Sequence, residues 1–300
     1  MKLTHYASLM GFGISTILFR RKKPILATII LTDACNLSCK HCAVNNLTRY
    51  MEKWDDVLCE MRALYDEGSR ILFFCGGETF SWYDGDKTVN DLVIEAKRIG
   101  FFLVNVVTNG TLGLDVPGAD IVFLSIDGMR ETHNAIRGDT FDTIMENVAK
   151  SSQPNVCVYM AINSINRKDV EALATLVRDD PRLKSISFNF HTPYAGTEGL
   201  SLTPSEKREV AGKISSLIDR GYPVFNLKAS LDRYLSGNWR RPCHQCLVSE
   251  RGKRYVCGRC SEIDGLCDEC GYLFAIEFSL LCDGNPRAIF EMLRTYWRFS

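Results

Sequence analysis

The chain has 300 residues, 46% hydrophobic and 24% charged, the balance of an ordinary globular protein with room for a barrel-sized domain plus an appendage. Basic and acidic residues number 36 each, so the net charge is zero and bulk electrostatics gives no reason to expect nucleic acid as a partner. Of its 13 cysteines, three fall within residues 35–42 and seven between Cys243 and Cys282; an odd, clustered set argues against a secreted disulfide framework and for metal binding in a reducing, cytoplasmic compartment.

Residues 6–19, YASLMGFGISTILF, are mostly apolar, and Arg20, Arg21, Lys22 and Lys23 follow. The run is too short to span a bilayer, and a secretory signal carries its charges before the apolar stretch. Residues 1–24 read as a separate helix, either packed beneath the main domain or lying on an anionic membrane surface as a peripheral contact. Six apolar runs come next: ILATIILT (25–32), RILFFC (70–75), FFLVNVV (101–107), DIVFLSID (120–127), NVCVYMAIN (155–163) and SISFNF (185–190). They are nearly continuous rather than alternating, as parallel strands buried on both faces are. Helical spacing recurs between them over 52–67, 88–99, 139–150 and 168–178, the last through Val170, Leu173, Ala174 and Val177. A helix after each of six strands predicts an α/β fold, a parallel sheet or barrel. A helix over 204–220 opens on Thr203 as cap and Pro204 in the first turn, and YPVFN (222–226) reads as one more short strand. After Trp239 the texture changes to cysteines, charges and glycines. This places a boundary near residue 240, between a main domain over 25–239 and a cysteine-rich one over 240–300. Cys59, Cys75 and Cys157 stand alone and read as small buried hydrophobes.

In parallel α/β folds ligands gather at the carboxyl ends of the strands. The first run leads straight into Cys35-Asn36-Leu37-Ser38-Cys39-Lys40-His41-Cys42. Spacings of three and then two residues let one tight loop wrap an iron–sulfur cube, and three thiolates leave its fourth iron open. A closed zinc site with His41 as fourth ligand is the structural alternative. Gly76-Gly77-Glu78 ends the second run, Thr108-Asn109-Gly110 the third, and Ser125-Ile126-Asp127-Gly128 the fourth; His133-Asn134-Ala135-Ile136-Arg137-Gly138 follows. Taken singly, the glycines suit ordinary turns, Ser125 and Asp127 suit helix caps, and Arg137 suits a surface ion pair.

In this order, the motifs resemble the radical SAM superfamily over roughly residues 25–190. The resemblance implies a partial (β/α)6 TIM-like barrel with a [4Fe–4S] cluster on Cys35, Cys39 and Cys42. It implies that S-adenosylmethionine chelates the open iron and is cleaved reductively to a 5′-deoxyadenosyl radical, which attacks a C–H bond or double bond of a substrate. Such an oxidoreductase or transferase draws its electron from a donor such as ferredoxin or flavodoxin. Gly76, Gly77 and Glu78 would then meet the methionine amino group, and Thr108 and Asn109 would contact the cofactor. Ser125 and Asp127 would serve its ribose and amino groups, Arg137 its carboxylate, and His41 its adenine. Where the family usually has proline after the GGE motif, this chain has Thr79.

Cys243, Cys246, Cys257, Cys260, Cys267, Cys270 and Cys282 are the metal candidates of the C-terminal segment. Paired CxxC units suit a zinc ribbon. Beside a radical SAM core they resemble the SPASM or shorter twitch extension, which implies at least one auxiliary [4Fe–4S] cluster. Gly252, four residues ahead of Cys257, fits the SPASM opening, whereas Cys243, Cys246 and Cys257 look more like the twitch form. WRRPC (239–243) and CDECGYLFAIE (267–277) resemble, more loosely, relatives of adenosylhopene transferase. The two likenesses imply different substrates, a peptide for a SPASM-type maturase and a lipid-like molecule for the other; a zinc-ribbon binding module on an inactive barrel is the reading from a different class. The segment from Thr192 to Glu198 lies at a strand end on the substrate side.

Overall fold

A computed structural model describes Gly11, Ile14 and residues 23–44, 46–239 and 244–299. The expectation for residues 1–24 therefore falls almost wholly outside the described residues, as does Cys243. The strands are β1 (Leu26–Ile30), β2 (Ile71–Cys75), β3 (Tyr83–Asp84), β4 (Lys87–Thr88), β5 (Leu103–Thr108), β6 (Ile121–Ser125), β7 (Val156–Ile162), β8 (Leu183–Phe190), β9 (Cys246–Glu250) and β10 (Lys253–Val256). Eight of them form one sheet in the order β10-β9-β1-β2-β5-β6-β7-β8. Every neighbouring pair is parallel except β9 with β10. The six sequence-predicted strands are all present and adjacent in chain order, which is the partial barrel.

Helices form between and after the strands. They are α1 (Trp54–Glu67), α2 (Val89–Ile99), α3 (Arg130–Arg137), α4 (Phe141–Lys150), α5 (Val170–Asp179), α6 (Pro204–Asp219), α7 (Lys228–Ser236), α8 (Leu273–Cys282) and α9 (Pro286–Tyr296). Each of the predicted ones buries the stripe its spacing presents: Val57, Met61 and Leu64 on α1, and Val170, Leu173, Ala174 and Val177 on α5. Thr203 caps α6 through a capping box with Glu206, with Pro204 in the first turn.

Three expectations need correcting. The link from β5 to β6 holds no helix, so the strand–helix alternation is broken once. YPVFN is not a strand; Val224 makes a single bridge to Ile186, because Asn226 turns back to Phe188, accepting from its N–H and donating to its carbonyl. Of the lone cysteines, Cys157 is buried, but Cys75 is only partly so and Cys59 is exposed on α1.

The cysteine-rich segment is built into the barrel. β9 pairs in parallel with β1, Leu26 opposite Cys246, and the β9–β10 hairpin extends the sheet beyond its first strand. At the far edge, β8 hands over to α8: Phe190 N–H donates to Gly271 O at 2.9 Å and Leu273 N–H to Asn189 Oδ1 at 2.8 Å. α8 is buried almost all round. Its Phe278 packs with Leu26, Ile71, Leu103 and Cys246, and its Phe274 lies within 6.4 Å, ring to ring, of Phe73, Phe123, Tyr159 and Phe225. The helix thus fills the lumen of the open sheet from its β8 edge to its β1–β9 edge. Between α8, β1, β9 and the cysteine loop remains a chamber of about 310 Å³, walled mainly by aromatic and aliphatic side chains.

Candidate active site

The three cysteines of the first loop sit where β1 ends. Buried Asp33 anchors the loop: its carboxylate accepts from Thr48 N–H (2.8 Å), Thr48 Oγ1 (2.9 Å) and Tyr50 N–H (3.0 Å), so the chain returns to its starting point. Asn46 ties the middle, accepting from Cys35 N–H at 2.7 Å and donating to Leu37 O at 3.2 Å. Lys40 N–H donates to Ile136 O at 3.0 Å, which joins the loop to α3.

The glycines of the GGE motif are demanded by this loop. A Cβ on Gly76 would lie 2.6 Å from Thr32 O, and one on Gly77 would lie 2.2 Å from Ala34 O. Side chains there would push the cysteine loop off the strand end. Gly77 N–H donates to Thr32 O at 2.7 Å and Glu78 N–H to Ala34 O at 2.8 Å. The Glu78 side chain is buried and turned toward β5, accepting from Thr108 Oγ1 and Asn109 N–H, each at 2.7 Å, and from Phe80 N–H at 2.9 Å. Burial raises its carboxyl above the ordinary value against those hydrogen bonds. Glu78 therefore fastens the second strand end to the third.

Asn109, so held, donates to Asn36 Oδ1 at 2.9 Å and lies 3.7 Å from Cys35 Sγ. Leu37 N–H lies 3.4 Å from the same sulfur. On the other flank, Arg137 at the end of α3 donates from Nε to Asp127 Oδ2 at 2.5 Å, and its Nη1 lies 3.8 Å from Cys39 Sγ. Burial pushes the Cys35 thiol up, and the Cys39 thiol up to about 11, with Cys42 adding repulsion to both and Arg137 opposing it at Cys39. One loop carries the three thiols, with Cys42 N–H donating to Cys39 O at 3.1 Å, hydrogen-bond donors beside Cys35 and a guanidinium beside Cys39. That donor set fits a cluster of thiolate ligands, whose negative charge such neighbours stabilise. Among the described residues, no three His, Cys, Asp or Glu side chains close around a single metal ion.

Asp127 is fully buried. Its Oδ1 accepts from Ala161 N–H at 2.9 Å, and His41 Nε2 stands 3.4 Å from Oδ2. Burial alone would raise this carboxyl, but Arg137 and then His41 outweigh it and hold it below its usual value. Burial lowers His41 to about 4, so its ring is neutral at neutral pH. Its Nδ1 is buried without a hydrogen-bond partner among the described residues, and His191 packs edge-on to it at 6.3 Å. Ser125 is buried at the end of β6. Neither Ser125 nor Asp127 caps the next helix, whose cap is Met129, and Arg137 is a buried partner of Asp127 rather than a surface cation. Hydrogen bonds and close polar contacts thus join Glu78 to Thr108 and Asn109, Asn109 to Asn36 of the cysteine loop, and Asp127 to Arg137 and His41.

Three of the C-terminal cysteines face the chamber. Cys257 N–H donates to Cys246 O at 2.8 Å, and Cys246, Cys257 and Cys260 all line the cavity. Cys267 Sγ lies 3.9 Å from Cys260 O, Cys270 N–H donates to Cys267 O at 3.2 Å, and Cys282 closes α8. Tyr194, on the loop after β8, donates its hydroxyl to Cys260, whose thiol is raised by burial. Sequence reasoning missed Asp33, Asn46, Arg251 and Arg259. Arg251 Nη2 donates to Asp33 Oδ2 at 2.8 Å, and Arg259 donates to Ala43 O. Only the position of Arg259, between two cysteines of one CxxC unit, hinted at a role.

Among curated relatives, the chain is 29% identical to Fe-coproporphyrin III synthase of Methanosarcina barkeri over 227 residues, 68% of this chain and 54% of that one. It is 32% identical to the sporulation killing factor maturation protein SkfB of Bacillus subtilis over 165 residues, 51% of this chain and 39% of that one. The match thus spans about half or less of these relatives' own lengths. Among solved structures, native anSMEcpe with bound AdoMet and peptide superposes with a TM-score of 0.60 at 19% identity, over 92% of this chain and 84% of that one, a likeness of fold. Residues 29–177 match the radical SAM superfamily, the stretch that carries the three-thiol loop and the strand ends around it, and through this domain the chain belongs to that superfamily.

Proposed function

We propose that the chain is a radical SAM enzyme acting on an apolar group of a peptide. The observation that carries this reading is the loop at the end of β1, which holds Cys35 beside Asn109 and Cys39 beside Arg137, with Cys42 in its next turn. Those three cysteines would hold the [4Fe–4S] cluster, with the open iron facing S-adenosylmethionine. When bound, the pair supplies one-electron reductive cleavage to a 5′-deoxyadenosyl radical. The protein's own part is binding and exclusion of water. Arg137 presents a guanidinium for a carboxylate, steadied by buried Asp127. Neutral His41 offers an uncharged ring edge for a base, and Ser125 and Asp127 lie at the next strand end for ribose. Thr108 and Asn109 are pre-set by Glu78, so ordering them costs little on binding. Ferredoxin or flavodoxin is the proposed electron donor.

The chamber beyond the loop, lined by Phe73, Phe123, Tyr159, Tyr194, Tyr272 and Phe274, suits an aliphatic or aromatic group. A relative named as a maturation protein and the SPASM-like cysteine pattern favour a peptide side chain as that group. The same apolar wall supports a lipid-like substrate as the second reading, and with it a peripheral membrane contact through residues 1–24. At least one auxiliary [4Fe–4S] cluster on the C-terminal cysteines is part of the proposal. Anaerobic turnover with dithionite, S-adenosylmethionine and candidate substrates, read by mass spectrometry, tests it. A modified peptide supports the first reading, a modified lipid the second, and a loaded enzyme that yields no 5′-deoxyadenosine refutes both.

A further inference from the structure

Arg259 belongs to the unit Cys257-Gly258-Arg259-Cys260, yet its side chain reaches away from it. Nη2 donates to the carbonyl of Ala43, the residue after Cys42. Nη1 lies 3.4 Å from Glu250 Oε1 at the end of β9, and the guanidinium carbon is 5.5 Å from the ring centre of Tyr194. One side chain therefore meets the cysteine loop, the sheet extension and the loop after β8. The backbone beneath it is tightly wound, with Cys257 at φ 70° and Gly258 at φ 152°, so the two flanking cysteines decide where Arg259 starts. A second grip lies on the opposite flank, where Arg251 donates to Asp33 and Thr48 and its N–H to Glu52 Oε1 at 2.7 Å. The cysteine-rich segment thus holds the first loop both before Cys35 and after Cys42. A guanidinium bond to a carbonyl is charge-assisted and planar, so it transmits direction as well as attraction.

We propose that Arg259 is a positioning residue that couples metal occupancy of Cys257 and Cys260 to the geometry of the Cys35–Cys39–Cys42 loop. Metal on the two cysteines fixes the arginine between them, and the arginine fixes the turn after Cys42. This rests on the reading that both cysteine sets hold metal. The test uses the full chain, reconstituted anaerobically, as wild type, Arg259→Gln, Arg259→Lys and the double variant Cys257→Ser with Cys260→Ser. Arg254→Gln is the control, because Arg254 belongs to the same hairpin but pairs with Glu60 and Glu67 on α1. Hydrogen exchange is followed in residues 43–44 and 46–50, together with the electron paramagnetic resonance of the reduced loop cluster with and without S-adenosylmethionine.

Arg259→Gln and the double cysteine variant should each speed exchange in that stretch by about tenfold or more, the scale of one charged hydrogen bond, and should alter the cofactor-induced change in the resonance. Arg259→Lys should recover part of the protection, and Arg254→Gln should match wild type. Unchanged exchange and resonance in Arg259→Gln, or a loop still protected when the two cysteines are gone, overturns the coupling. A wild type without any loop-cluster resonance overturns both the coupling and the reading beneath it.

Discussion

Gly76 and Gly77 show how closely the site is built on steric contact. The loop carbonyls of Thr32 and Ala34 occupy the space a side chain would need, with Ala34 O 2.2 Å from a Cβ on Gly77. Gly77→Ala should lower apo-protein stability by about 1–3 kcal/mol, seen in thermal unfolding, and should reduce the iron retained per chain. Asp127 is the electrostatic counterpart: it is fully buried and answers the Arg137 guanidinium. Asp127→Asn leaves that cation without its partner, and urea unfolding should report a loss of about 3–5 kcal/mol. An increase in stability would show that the pair is replaceable. At this scale the sequence pointed to the candidate ligands and was silent about their supports. Cys35, Cys39 and Cys42 announce themselves by spacing, whereas Asp33, Arg251 and Arg259 act through partners as much as 218 residues away, which only the folded chain brings together.

The elements divide along the same line. Six strands were legible because burial on both faces leaves each a nearly continuous apolar run. α3 was not, because its sequence RETHNAIR is polar and buries only Thr132, His133 and Ile136. α8 escaped for the opposite reason: buried almost all round, LFAIEFSLLC has no polar face to mark a helical period, and it follows a stretch of cysteines, charges and glycines. β9 and β10 are short and find their neighbours only across the whole barrel. α8 also carries a pH-sensitive tie. Glu277 Oε1 accepts from Asn226 Nδ2 (3.2 Å), Leu227 N–H (3.1 Å) and Ser230 Oγ (3.2 Å) at the start of α7, and burial raises its carboxyl from 4.5 to about 7. Between those values the folded chain keeps a proton that the unfolded chain has released. Stability from this group therefore falls as pH rises through that window, by about 3 kcal/mol in all. Glu277→Gln keeps the acceptor oxygen and should flatten that slope, leaving the variant more stable than wild type at pH 8 in chemical denaturation. Equal slopes in the two proteins would contradict the assignment.

Across the whole molecule, the cysteine-rich segment completes the barrel. Its strands extend the sheet beyond β1, its helix α8 fills the lumen, and its arginines hold the first cysteine loop. A boundary near residue 240 marks a change in texture, while the contacts across it are those of a shared core. Phe274 stands at the centre of the lumen aromatics; Phe274→Ala should cost about 3 kcal/mol in unfolding free energy and enlarge the chamber, a change measurable as altered preference among substrates of different bulk. The loop at the end of β1 is the centre of the proposed chemistry. Its most direct test is 5′-deoxyadenosine release after anaerobic reconstitution, with dithionite and S-adenosylmethionine, from wild type and from the triple variant Cys35→Ala, Cys39→Ala, Cys42→Ala. Release is expected from wild type and none from the triple variant, whose remaining iron would be that of the proposed C-terminal site. Equal release from both proteins, or none from a fully loaded wild type, would overturn the role given to this loop.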